Sequence, residues 1–245
     1  SPVISHPTHY FKPLTHFPVY LLTTPILKKK IMKRKIFTFA ALLVTTLSFA
    51  QSSANAKSIL DKAYGIYENS KGIKISFNMT ATDENNTTNQ VQKGTALVKD
   101  NKFKIEMSTI DIWFDGKTQW MLMKDLNEVN ISNPSPEEIT SISPLALLSI
   151  YKTGYILKNP VTKTINKKSV SVIDMVPTSS KSDFKNVSVA IDKKSNTILQ
   201  VNLTMKNGMK NKIDINDYNA NYNFADSEFV FDKANHKGVE MIDLR

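Results

Sequence analysis

From residue 73 onward the chain alternates. Ile73, Ile75, Phe77 and Met79 recur at every second position, as do Phe103, Ile105 and Met107 against Lys104 and Glu106, and Val187, Val189 and Ile191 against Ser188 and Asp192. Period-two patterning sends successive side chains to opposite faces of a strand, so each run predicts a strand. Strands are expected over 73–82, 91–99, 102–108, 169–176, 186–192, 198–205 and 210–219. Asp100-Asn101, 192–196 and Lys206-Asn207-Gly208 supply turn chemistry between them, and the Asn-rich 83–89 is a solvated turn.

The stretch 111–132 breaks the rule of one apolar face. Asp115-Gly116 marks a tight hairpin and Lys124-Asp125 a weaker turn, giving three short strands. Ile112 and Phe114 point opposite to Trp113, and Trp120 and Leu122 opposite to Met121 and Met123, so both faces are apolar. A sheet that only covers a core is polar on one side. This one needs something apolar against each face.

Helical spacing occurs in three places. Ile59, Leu60, Ala63, Tyr64, Ile66 and Tyr67 predict a helix over 57–70, with Ser58 and Asp61 resembling a capping box and Gly72 just beyond. What packs on Trp113, Met121 and Met123 stays open unless Tyr64, Tyr67 and that helix cover them. Ser135-Pro136-Glu137-Glu138 starts a helix of little more than one turn. Ser143-Pro144 starts another, over 144–152, apolar on nearly every side through Leu145, Leu147, Leu148, Ile150 and Tyr151. Amphipathicity does not separate a plug at one end of a barrel from a lid over a cavity. Regular strands without interleaved helices predict a mainly β (α+β) fold, a half-open antiparallel β-barrel or strongly curved sheet with an N-terminal helix and short lid helices.

Charge changes the picture less than its total implies. The net charge is +10, yet residues 1–50 hold seven basic residues and no acidic one, leaving 25 basic against 22 acidic in the rest. That near balance excludes a nucleic-acid binder built on a basic surface. Met32-Lys33-Arg34-Lys35, the apolar run 36–49 and Ala50 follow the basic, apolar, small-residue order of a secretory signal peptide, and the run is too short for a membrane span. Three segments are expected: 1–31 as upstream sequence outside the fold, 32–50 as signal peptide, and 51–245 as one binding domain. Cleavage is placed after Ala50 or, second, after Ala56. The chain has no Cys, so the exported product has no thioether lipid anchor and is expected to be soluble.

Catalytic chemistry finds few residues. Beyond residue 50 His236 is the sole His, a surface residue in the turn 232–238, and it would have to be the base of any hydrolytic triad. Zinc lacks ligands. The acidic stretches near Asp83 and Asp214 lack calcium-loop spacing, and no glycine-rich phosphate loop occurs. No metal, no cofactor and no enzyme activity are expected. What remains is apolar surface: Met79, Met107, Met121 and Met123 suit either a cavity that adapts its shape or an ordinary core. An acyl chain is the natural guest of such a cavity, at about 0.8 kcal/mol per buried CH₂.

Phe114-Asp115-Gly116-Lys117-Thr118-Gln119-Trp120 resembles the DGKTLW-type hairpin of the LolA family of periplasmic lipoprotein carriers. The stretch 94–107, GTALVKDNKFKIEM, is similar to the strands before it; Asn127-Glu128-Val129, the Ser143-Pro144 helix and the ending KGVEMID at 237–243 fit in family order. The resemblance covers 57–245. It implies a half-open barrel with a helical lid and no catalysis. It also implies a periplasmic carrier of acylated lipoproteins, loaded by an inner-membrane LolCDE-type ABC exporter and unloaded at an unidentified outer-membrane acceptor. The missing Cys argues against the LolB branch. The family's lid-latching Arg, just after Val-Lys, is absent: Val98-Lys99 precedes Asp100-Asn101-Lys102, and Lys102 lacks the planar donor fork.

The expected cavity residues are Phe103, Ile105, Met107, Ile112, Phe114, Trp120 and Leu122 from strands, with Leu145, Leu148 and Tyr151 from the lid. Which face points inward is open, because a one-residue slip exchanges the set. The expected function is a monomeric carrier. An envelope sensor on the same fold, binding lipoprotein or lipid and signalling to a partner, is the alternative.

Overall fold

The structure, a computed structural model, describes residues 53–85, 87–88, 91–142, 151–152 and 154–245. Helix α1 spans 53–68. Six strands follow: β1 (Ile73–Thr82), β2 (Gln92–Lys99), β3 (Lys102–Met107), β4 (Ile110–Phe114), β5 (Gln119–Met123) and β6 (Glu128–Ser132). After α2 (Pro136–Ile142) come β7 (Tyr155–Leu157), β8 (Val161–Ile165), β9 (Lys168–Pro177), β10 (Phe184–Asp192), β11 (Ile198–Met205), β12 (Lys210–Asn219) and β13 (Glu240–Asp243). Two 3₁₀ turns, Asp226–Phe229 and Lys233–Asn235, precede β13.

All these strands form one curved sheet, mainly β as the alternation predicts, in the order β13-β6-β5-β4-β3-β2-β1-β12-β11-β10-β9-β7, with β8 also on β9. The order never returns to its start, so the barrel is open. β1 runs down the middle, paired with β2 on one side and β12 on the other. Every pairing is antiparallel except β13 with β6. Strands β7, β8 and β13 were not expected from the pattern.

The inner face carries the main core. Ile73, Ile75 and Phe77 of β1 join Ala96, Val98, Phe103, Ile105, Ile112 and Phe114 on one flank, and Ile213, Val201, Val189 and Ile173 on the other. Helix α1 lies on this face, burying Ala56, Leu60 and Ala63 at helical spacing. The expected cap at Ser58 is corrected: the chain is already helical at residue 53, which leaves Ser58 inside the helix. Asp61 instead accepts hydrogen bonds from Lys57 Nζ at 2.8 Å and from the Tyr151 hydroxyl. Helix α2 has its expected cap, longer than one turn: Ser135 N–H donates to Glu138 Oε2 at 2.7 Å, and Glu138 N–H to Ser135 Oγ at 3.3 Å.

The outer face is covered by the chain's own C-terminal stretch. Leu97 of β2 packs with Phe224 and Phe229, and Trp113, Leu122, Val129 and Ile131 pack with Phe231 and Val239. Phe231 and His236 stand edge-on to Trp113, with ring centroids 5.3 and 5.6 Å away. His236 is thus a half-buried packing residue rather than a surface one. The cover expected from Tyr64 and Tyr67 is corrected for Trp113, which lies on the face opposite α1, whereas Met121 packs on the inner core together with Tyr64 and Tyr67.

Candidate functional site

The site grows out of a transverse row of the sheet. Antiparallel register sets Val98 opposite Phe103, Phe103 opposite Phe114, and Phe114 opposite Gln119. Directly opposed residues share a face, so Val98, Phe103 and Phe114 form a continuous apolar strip on the inner side. The Phe103 and Phe114 rings lie 5.1 Å apart at 31°.

The turns that end these strands set the rim. Asp115 Oδ1 accepts from the N–H of Lys117 at 2.9 Å and of Thr118 at 2.8 Å, and Gly116 takes φ +100°, so the loop is four residues, 115–118. Asn101 Nδ2 donates to the Gly116 carbonyl at 3.4 Å and ties this loop to the β2–β3 turn. The positive φ of Gly116 strains any residue with a Cβ, and such a Cβ would also displace the Asn101 amide, whose nitrogen would be 2.6 Å away.

Above the strip stand Tyr64 and Tyr67 of α1 and Ile139 of α2, and together they enclose a cavity of about 430 Å³. Its wall is apolar through Val98, Phe103 and Phe114, and its mouth is polar through Glu68, Ser70, Asp100, Asn101 and Lys102. The volume falls within the range of about 300–1,000 Å³ typical of small-ligand sites. The Tyr67 hydroxyl donates to the Asp100 carbonyl, closing α1 against the β2–β3 turn, and burial pushes its phenol up to about 12. Tyr151, fully buried, packs edge-on against Tyr64, and Lys152 Nζ sits 4.3 Å from the Tyr64 ring. Burial and the hydrogen bond to Asp61 raise the Tyr151 phenol.

Of the expected cavity residues, Phe103 and Phe114 line this space. Ile105, Ile112 and Tyr151 lie in the same inner core, and Met107 is half-buried against it. Trp120 and Leu122 do not share that face: register pairs Trp120 with Trp113 and Leu122 with Asp111, so the inner-face partner of Ile112 is Met121. Both belong to the outer cluster, and the assumed common face is corrected. Leu145 and Leu148 lie outside the described residues. Val98, Tyr64, Tyr67 and Ile139 were missed, although Val98 alternates with Ala96 on the strand next to Phe103. Lys102, the stand-in for the latching Arg, pairs instead with Asp226 at 2.8 Å, beside Lys99 at 3.0 Å.

Residues 46–209 match the sequence model of the outer membrane lipoprotein carrier protein LolA. The chain belongs to the LolA family. No curated protein sequence matches it. An uncharacterized conserved protein from Thermus thermophilus aligns with a TM-score of 0.52 at 10% identity, over 77% of this chain and 99% of that one. At that identity the likeness speaks for the fold alone. A LolA superfamily protein from Nitrosomonas europaea aligns at 0.42 and 12% identity, over 73% and 98%. The Mycobacterium tuberculosis lipoprotein LppX aligns at 0.42 and 13%, over 71% and 100%. In this LolA-family chain no described helix is long and apolar enough to cross a membrane.

Proposed function

We propose that this LolA-family protein is a periplasmic carrier that buries the acyl chains of lipoproteins in its inner cavity and moves them towards the outer membrane without catalysis. The cavity carries the reading: an apolar wall of Val98, Phe103 and Phe114 beneath helices, with a polar mouth. Such a space holds a hydrocarbon chain through burial alone and leaves the rest of the cargo in water. A LolCDE-type ABC exporter is the proposed donor. Export follows from the leader at 32–50, and cleavage after Ala50 rather than Ala56 keeps the fully buried Ala56 within α1.

Affinity purification of the protein from envelope under mild extraction, followed by mass spectrometry, tests the reading. Acylated peptides or lipoproteins are expected to copurify, and to be lost when Phe103 and Phe114 are both replaced by Ser in a variant that remains folded. A wild-type preparation free of acylated species overturns the carrier.

A further inference from the structure

Charge is divided unevenly over the sheet. Residues 155–212, which build β7 to β11 and the start of β12, hold eleven Lys and three Asp, a balance of +8. The rest of the chain beyond residue 50 holds fourteen basic and nineteen acidic residues, a balance of −5. The near balance beyond residue 50 therefore hides a separation of charge, and one margin of the open sheet is basic. Of the three aspartates there, Asp192 is 5% exposed and already accepts from the backbone N–H of Lys194 at 2.8 Å. Lys158, Lys163, Lys167 and Lys185 are exposed and form no ion pair among the described residues.

The same margin carries aliphatic side chains on its outer face. Ile173 and Met175 of β9 belong to the inner core, so Val172 and Val176 point outward. Register sets Val161 of β8 opposite Val172 and Ile156 of β7 opposite Val176, and opposed residues share a face. Ile156 and Val161 are 54% and 53% exposed, because the C-terminal stretch covers this face only over β2 to β6. Lys163, two residues beyond Val161, stands on the same face, and Lys158 lies in the connection between β7 and β8.

We infer that this corner is a docking surface for an anionic phospholipid bilayer, with Ile156 and Val161 entering the interfacial layer while Lys158, Lys163 and Lys167 meet lipid phosphates. Protruding aliphatic side chains flanked by lysines suit such an interface, where each Lys near the surface strengthens binding about fivefold. The margin is poorly suited to a strand from a second chain: Pro160 stands directly before β8 and Lys163 in its middle, two residue types that oppose edge-to-edge pairing. The surface lies on the face away from the inner cavity, so it adds a place of contact to the carrier reading without resting on the cargo.

Sedimentation of the exported protein, its leader removed, with vesicles of equal parts phosphatidylglycerol and phosphatidylcholine, and with pure phosphatidylcholine, tests the assignment. Binding is expected to the anionic vesicles only, and to weaken as added salt screens the charges. Lys163→Gln together with Lys167→Gln should weaken it about tenfold or more. Lys158→Gln, outside the strands, replaces Lys163→Gln if β8 frays. Ile156→Ser with Val161→Ser should also weaken binding while leaving its salt dependence in place. Lys233→Gln with Lys237→Gln removes the same charge from exposed positions on the C-terminal cover and should leave binding unchanged. Binding to neither vesicle, equal binding to both, or an equal effect of the two lysine pairs overturns the membrane surface and leaves the carrier standing. Capture of polyglutamate without vesicle binding overturns it in favour of an acidic protein segment.

Discussion

Gly94 sits opposite Phe77 in the β1–β2 ladder, and a Cβ there would stand 2.4 Å from the ring's Cζ. Phe77 is buried on the inner face, so its ring uses the space that a side chain on β2 would otherwise fill. Gly94→Ala must push the ring into its neighbours. Overpacking of this kind costs about 1–3 kcal/mol, and the urea midpoint is expected to fall accordingly; a midpoint within error of wild type would show that the ring moves freely. The fit runs the other way at the cavity. Phe103 and Phe114 lean on one another at the cavity wall while staying 3% exposed, so truncating either removes core packing as well as cavity lining.

At the level of elements, the 3₁₀ turn Asp226–Phe229 is pinned by charge on one end and by Phe229 on the other. Lys102 and Lys99 hydrogen-bond the Asp226 carboxylate and hold its pKa below the ordinary value of 3.8. A depressed carboxylate favours the folded state above its unfolded pKa, and that contribution is lost as pH falls through the folded value. The protection factors of amides in the turn, exchange rates corrected for the intrinsic effect of pH, should therefore fall when pH drops through the folded pKa of Asp226. In Asp226→Asn the protection should be low already at neutral pH and change little on acidification; a protection profile identical to wild type would remove the pin. The long strands around it were legible because one buried face imposes period two: β1, β11 and β12 have the expected limits. Strands β7, β8 and β13 were not. Val161–Ile165 is mostly exposed, so its sequence carries no buried alternation, and β13 is four residues held by pairing to β6. A strand defined by its partner rather than by burial leaves little trace in its own residues.

For the whole molecule, two covers on two faces answer the puzzle of a sheet that is apolar on both sides. Helices α1 and α2 lie over the inner face, and residues 224–239 over the outer one. The sequence patterning showed that two covers were needed, but not which segment took which face, because hairpin register decides whether Trp120 joins Ile112 or Trp113. It joins Trp113. Gln119 was equally hidden: a polar residue between Thr118 and Trp120 reads as solvent-facing until its burial is seen. Both tryptophans of the chain, Trp113 and Trp120, consequently lie across the sheet from the cavity. A brominated fatty acid is expected to bind without quenching tryptophan fluorescence, and strong quenching would place the ligand on the outer face.

An open sheet also has a seam. In a closed barrel, strand number and shear fix the circumference, and making room means breaking ladder hydrogen bonds. Here the β13 and β7 margins share no ladder, so the girth is governed by how far two margins stand apart rather than by a count of strands. In the carrier reading proposed above, capacity is then an elastic property of one bending sheet, set without any change in the strand pairings.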